Sequence, residues 1–227
     1  MLGTRRAVLD AAGLAGAGLL LVAVAHYTPL DHALTVLFYD PGAAGFPLRH
    51  SAFWTVVMHS GLKYLSIALW LGLLLWWLLP ARRQRARLRD AVGFTLLIAP
   101  LSALVVSLLR SLSEHSCPWE LAVYGGSADY FRFFDSVPAV PGPGHCAPSG
   151  HASVGFVWMA AYIAARRVGP AAARAALALT LGLGILTGLT QVVRGAHFVS
   201  HVLLTAWVCY AVAWASDLGW RFFPRRH

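Results

Sequence analysis

The sequence predicts an all-α polytopic membrane protein of six transmembrane helices, with one long external loop that carries part of a functional site. Three observations lead there. Of 227 residues, 58% are hydrophobic and only 12% charged, about half the charged share of a soluble domain. Apolar stretches close to the ~20 residues a bilayer-crossing helix needs recur at 7–26, 60–80, 91–112, 150–167, 175–194 and 199–217. Basic residues collect at alternate ends of those stretches. Arg5, Arg6, the run "ARRQRARLRD" (Ala81–Asp90), Arg166, Arg167, Arg174, Arg221, Arg225 and Arg226 make thirteen of the eighteen lysines and arginines.

Each element follows in order. The first span is a Gly/Ala/Leu stretch behind "TRRAVLD" and ending "AVAHY". It also has the pattern of a signal peptide, whose removal would subtract one span and leave the sidedness of the rest unchanged. The 27–59 connection contains "FPLRHSAFW" (Phe46–Trp54), read as an interfacial helix start with Arg49 within reach of a headgroup. The second span leads into the basic run, and the third ends on "LLRSLSEHSCPWEL" (Leu108–Leu121). The 113–149 connection is rich in Pro, Gly and aromatic residues. The fourth span opens with "CAPSGHAS" (Cys146–Ser153), and "TQVVRGAHFVSHVLL" (Thr190–Leu204) joins the fifth to the sixth. Six spans leave no room for a separate soluble domain, so residues 1–227 read as one membrane-embedded domain.

The distribution of charge sets sidedness. Positive charge favours the cytoplasmic side, which puts both termini there, in the cytoplasmic (inner) membrane, and the 27–59, 113–149 and 195–198 connections outside. The net charge of +9 is thereby explained by topology and anionic-lipid contact, and nucleic acid is not an expected partner. Oligomeric state is left open. Cys117 and Cys146 both fall in the external connection, where an oxidising compartment makes them disulfide candidates, two free thiols being the alternative. Cys209 lies inside a span as a small hydrophobe.

Ionisable residues at membrane depth are costly and are functional suspects. Three clusters of them open on the same outer face. Pro148 suits the start of a helix and Ser149 can cap it, so the amides of Ser149, Gly150 and His151 are expected to point outward at the positive helix end, as an anion site. His151 can exchange a proton near neutral pH. Arg194 precedes His197 by about one turn and Arg110 closes the third span, two arginines suited to a group with several anionic oxygens. His26, His32, His50, His59 and His145 read as packing or interfacial residues. His115 is left undecided, and the tryptophans read as packing.

The order Arg110-x6-Cys117-Pro118, Pro148-Ser149-Gly150-His151, then Gly195-Ala196-His197 with His201 four residues on resembles the three-part signature of the type 2 phosphatidic acid phosphatase superfamily. The chain departs from that signature at Arg110, where the family has lysine, and at Cys117, where it has arginine. Gln191 and His201 replace its arginine and aspartate. The resemblance implies a lipid phosphatase without cofactor or metal, acting through a phosphohistidine. In it His197 is the nucleophile, His151 the acid, and His201 the residue that orients His197. Arg110, Ser149, Gly150, Arg194 and Gln191 bind the phosphate, Arg194 taking over from one turn closer the role of the arginine that Gln191 replaces. A Cys117–Cys146 bond would explain the cysteine in an arginine's place as a covalent brace.

The expected partners are a phosphorylated lipid and the bilayer. A lipid-to-lipid phosphotransferase would use the same residues. A haem- or metal-binding membrane protein is the remaining alternative. His197 and His201 have the i, i+4 spacing of a zinc pair, but "HFVSH" lacks the glutamate that follows the first histidine in a metalloprotease.

Overall fold

A computed structural model describes residues 2–80 and 86–220, with side chains from residue 7 onward. The arginines of 81–85 and 221–227, and the side chains of Arg5 and Arg6, lie outside the described residues. Among those described, the chain forms helices and turns and no strand. The long elements are α1 (Leu2–Tyr27), α3 (Leu62–Leu78), α4 (Ala86–Ser111), α7 (Pro170–Val193) and α8 (Val199–Trp220), with a short α2 (Leu30–Thr35) between the first two. A π-helix, Phe53–Gly61, runs directly into α3. Among the described residues, five helices are long and apolar enough to cross a membrane, the π-helix and α3 counting as one.

The exposure pattern is the reverse of a soluble protein's. Leu19 is 73% exposed, Leu20 65% and Leu75 66%, and such apolar faces on long helices suit a lipid solvent. α1 and α3 are peripheral, whereas nearly half of α4 and α7 is buried. α1 is held to α8 where Trp207 donates to the Leu14 carbonyl at 2.9 Å. Gly18 keeps that approach open, because a Cβ there would stand 2.9 Å from the Trp207 ring.

The expected fourth span, 150–167, is the one that differs. It folds as two short pieces, α5 (Ser153–Phe156) and α6 (Met159–Ala165), joined by a turn. Thirteen residues reach about 20 Å, short of a ~30 Å hydrocarbon core. The cause lies in its neighbours. Ser66 of α3 donates to the Val154 carbonyl at 2.8 Å and accepts Trp158 Nε1 at 2.9 Å. Gly155 lies so close to the Leu183–Gly184 backbone that a Cβ would collide with it. Carbonyls drawn to other helices, and a backbone pressed on a backbone, break the regular ladder.

The two ends of the bundle differ. At one end ion pairs tie α6 to three other helices: Arg166 to Asp10 at 2.6 Å, Arg167 to Asp90 at 3.5 Å, and Arg167 to Asp217. At the other, the long connection after α4 packs over the start of α8. There the Asp31 carboxylate takes the Ser200 amide at 2.9 Å and the Ser200 hydroxyl at 2.5 Å, a negative group at a helix N-terminus.

Candidate active site

His197 is placed by the end of α7. Gly195 adopts φ +70°, a conformation open to glycine at little cost. Its amide bonds to the Val192 carbonyl at 2.9 Å, and the Ala196 amide reaches the Gln191 carbonyl at 2.9 Å, which together close the helix in a Schellman motif. The turn swings His197 inward, where it is buried. A Cβ at 195 would also collide with the Phe46 ring, so the glycine is required twice.

The sulfurs of Cys117 and Cys146 are bonded to each other, with Cα atoms 5.2 Å apart. His197 Nδ1 stands 3.2 Å from Cys146 Sγ. A disulfide sulfur can only accept, so a hydrogen bond at this contact takes the ring proton on Nδ1 and leaves the Nε2 lone pair free. Burial first and the Arg110 charge second push the His197 pKa down to about 3, against the opposing effect of a hydrogen bond with the Cys146 backbone. The ring is therefore neutral at pH 7. Ligand atoms of Cys117, Cys146 and His197 lie within 4.8 Å of one another, but bonded sulfurs have no thiolate to offer a metal.

His151 faces the same cavity from the turn before α5. Its Nε2 is buried with no hydrogen-bond partner among the described residues. Burial, then the charges of His59, His197, Arg194 and Lys63, push its pKa down to about 3. Arg110, in the last turn of α4, donates through Nε to the His145 carbonyl at 2.7 Å. Its Nη1 lies 3.4 Å from where a Gly150 Cβ would be. Arg194 donates through Nε to the Arg49 carbonyl at 3.2 Å. The cavity these groups line has a volume of about 410 Å³, and Gln191 and Gly150 also border it.

Ser149 and His201 stand behind that cavity. The Ser149 amide is not free, as expected, but bonds to the His201 carbonyl at 3.1 Å. Its hydroxyl accepts the Ala152 amide at 3.3 Å. The Gly150 and His151 amides make no hydrogen bond among the described residues. The His201 ring stands edge-on to His197 with centroids 5.9 Å apart. Its Nδ1 has no partner among the described residues, so no hydrogen bond from that atom ties it to His197. His115 stacks on Phe131 at 4.3 Å and borders a separate cavity of about 20 Å³ with His201 and Asp31. The Arg49 guanidinium lies over the Trp119 ring at 4.2 Å.

His59 and Lys63, neither of them among the expected site residues, also line the cavity of His151 and His197. His59 stacks on His151 at 3.8 Å, with 17° between the rings. The available signal was two ionisable side chains four residues apart, on one face of an otherwise apolar span.

An all-helical bundle of membrane type, with two neutral histidines and several cations around one cavity, brings proton-exchanging and anion-binding side chains together in one place. A family model, the PAP2 superfamily, matches residues 91–226, and the chain belongs to that superfamily. Membership supports a phosphatase acting on phosphoesters. No match was found among curated proteins or among solved structures.

Proposed function

We propose that the protein is a lipid phosphatase that hydrolyses a phosphomonoester or pyrophosphate of a lipid through a phosphohistidine, without a metal ion. One observation carries this reading. His197 and His151 share a cavity with Arg110, Lys63 and Arg194, and no carboxylate lies within 4 Å of those three cations among the described residues. An anion completes such a site.

In this scheme the lone pair on His197 Nε2 attacks phosphorus as the bond to the leaving oxygen breaks. His151, charged once the phosphate dianion sits beside it, gives its proton to that oxygen. Water then attacks the phosphohistidine and returns a proton to His151, the P–N bond breaks, and inorganic phosphate departs. Arg110 and the free amides of Gly150 and His151 stabilise the phosphoryl oxygens on the side of His197, and Arg194, next to His59 and His151, stabilises them on the side of the leaving oxygen. Ser149 serves from behind by holding that turn to α8. His201 positions His197 by packing, and Cys146 Sγ sets its tautomer.

A bilayer of six crossings is the matching arrangement, the broken α5–α6 segment being the sixth, with both termini cytoplasmic and the site on the outer side of the cytoplasmic membrane. The positions of the basic residues support it. So does the disulfide beside the site, which belongs to an oxidising compartment. The test is phosphate release by purified protein from a panel of phosphorylated lipids, with chelator present. Release that stops with chelator and returns with zinc or magnesium overturns the phosphohistidine scheme.

A further inference from the structure

The residues that the three motifs leave unused lie on the helix formed by Phe53–Gly61 and α3. Its first nine residues are wound as a π-helix, a form that often marks functional sites. From that widened turn His59 reaches across to α7, where its Nδ1 faces Gln191 Nε2 at 3.0 Å and Arg194 Nη1 at 3.4 Å. Arginine can only donate, so Nδ1 accepts and the ring proton sits on Nε2. No hydrogen bond to that N–H exists among the described residues. Lys63 lines the cavity one turn further on. The family match begins at residue 91, after both.

The cations are divided between two sides. Arg110 lies against Gly150, and its charge acts on His197. Arg194 is bonded to His59, which is stacked on His151, and the charges of Arg194 and Lys63 act on His151. In the scheme above, which this inference rests on, His197 attacks from one side and His151 protonates the oxygen that leaves on the other. The cations beside His151 therefore stand on the leaving-group side. An alcohol brings no charge for them to meet, whereas a phosphate does.

We infer that His59, Lys63 and Arg194 form a second anion subsite, which takes the inner phosphate of a lipid diphosphate. His197 Nε2 forms its bond to the outer phosphorus while the anhydride P–O bond breaks. The bridging oxygen keeps the electron pair and receives the proton of His151. The departing lipid monophosphate is held by Lys63, Arg194 and the Nε2–H of His59. Hydrolysis of the phosphohistidine releases inorganic phosphate, so the sum is lipid diphosphate plus water giving lipid monophosphate plus phosphate.

Two measurements test this. In calorimetry on the purified protein, inorganic pyrophosphate is expected to bind at least about tenfold tighter than inorganic phosphate, the share of one charge-assisted hydrogen bond. Lys63→Met and His59→Ala should each erase that preference, and Lys63→Arg should keep it. In turnover, with a diphosphate and a monophosphate of the same lipid, Lys63→Met should lower the diphosphate-to-monophosphate ratio of kcat/KM about tenfold. Equal binding of the two anions by the wild type, or equal losses on both lipids in a variant that keeps its thermal unfolding temperature, overturns the subsite. Tight pyrophosphate binding with no release from either lipid keeps the subsite and overturns the phosphatase scheme instead.

Discussion

Arg166 and Arg167 at one end of the bundle are matched by Asp10, Asp90 and Asp217. Arg110, Lys63 and Arg194 at the other end face a cavity, with no carboxylate within 4 Å among the described residues. The same residue types serve opposite purposes. A charge paired inside the fold is already satisfied, and removing its partner leaves a desolvated ion. A charge left open at a cavity keeps its electrostatic capacity for a ligand, at the cost of repelling its neighbours. The two histidines, held neutral, add no further charge to that repulsion. Arginine count alone would not separate the two ends; partner count does.

The sharpest way to break the comparison is to remove the group that the open end is built to serve. His197→Ala is expected to lower phosphate release by at least about 10⁴-fold, as loss of a nucleophile does. Thermal unfolding should change little by comparison. An acid-labile ³¹P signal from the phosphoenzyme should vanish with the rate. A phosphoenzyme trapped in this variant would reverse the roles of His197 and His151.

The arginines come next. Arg110→Ala and Arg194→Ala should each cost about 10²–10³ in kcat/KM, the usual worth of one preorganised donor to a transition state. Gln191→Ala should cost less than Arg194→Ala, because Gln191 borders the cavity without a charge and its amide is engaged with His59. The reverse order would show that Arg194 does not fill the place of the family's missing arginine. At the paired end, Asp217→Asn should act on stability, lowering it by about 3 kcal/mol with kcat unchanged. If Asp217→Asn instead reduces kcat at full stability, the two ends are not functionally separate.

How much of this was legible beforehand depends on how local the cause is. The long helices follow from apolar runs, and His197 follows from Arg-Gly-Ala-His, because a glycine that closes a helix in the left-handed region is a local event. Arg110 and His151 were legible from motif order. The short fourth helix was not, because what breaks it is a hydroxyl from Ser66, 88 residues from Val154. His59 was not, because its partner Gln191 is 132 residues away. The Ser149 amide looked free at a helix start, yet the backbone of His201 claims it. Asp31, a carboxylate in a short helix, gave no hint that it would sit at the N-terminus of α8, 169 residues on.

The last expected effect concerns pH, and it tests whether the open end costs stability. His197 and His151 both have pKa values pushed down to about 3, chiefly by burial, while an unfolded histidine titrates near 6.5. Above pH 6.5 neither state binds these protons, and the fold has its full stability. Between 6.5 and about 3 the unfolded chain takes up protons that the fold refuses, so stability must fall as pH falls. The slope is at most about 1.4 kcal/mol per pH unit for each histidine, and less for His151, which is only partly buried. Thermal unfolding in detergent between pH 7 and 5.5 measures it, in a window where an ordinary carboxylate stays ionised. His197→Asn should flatten the curve, since the substituted side chain does not titrate. Parallel curves for the wild type and the variant would mean that His197 takes up its proton in the fold as readily as in the unfolded chain, which would overturn burial as the cause of its neutral state.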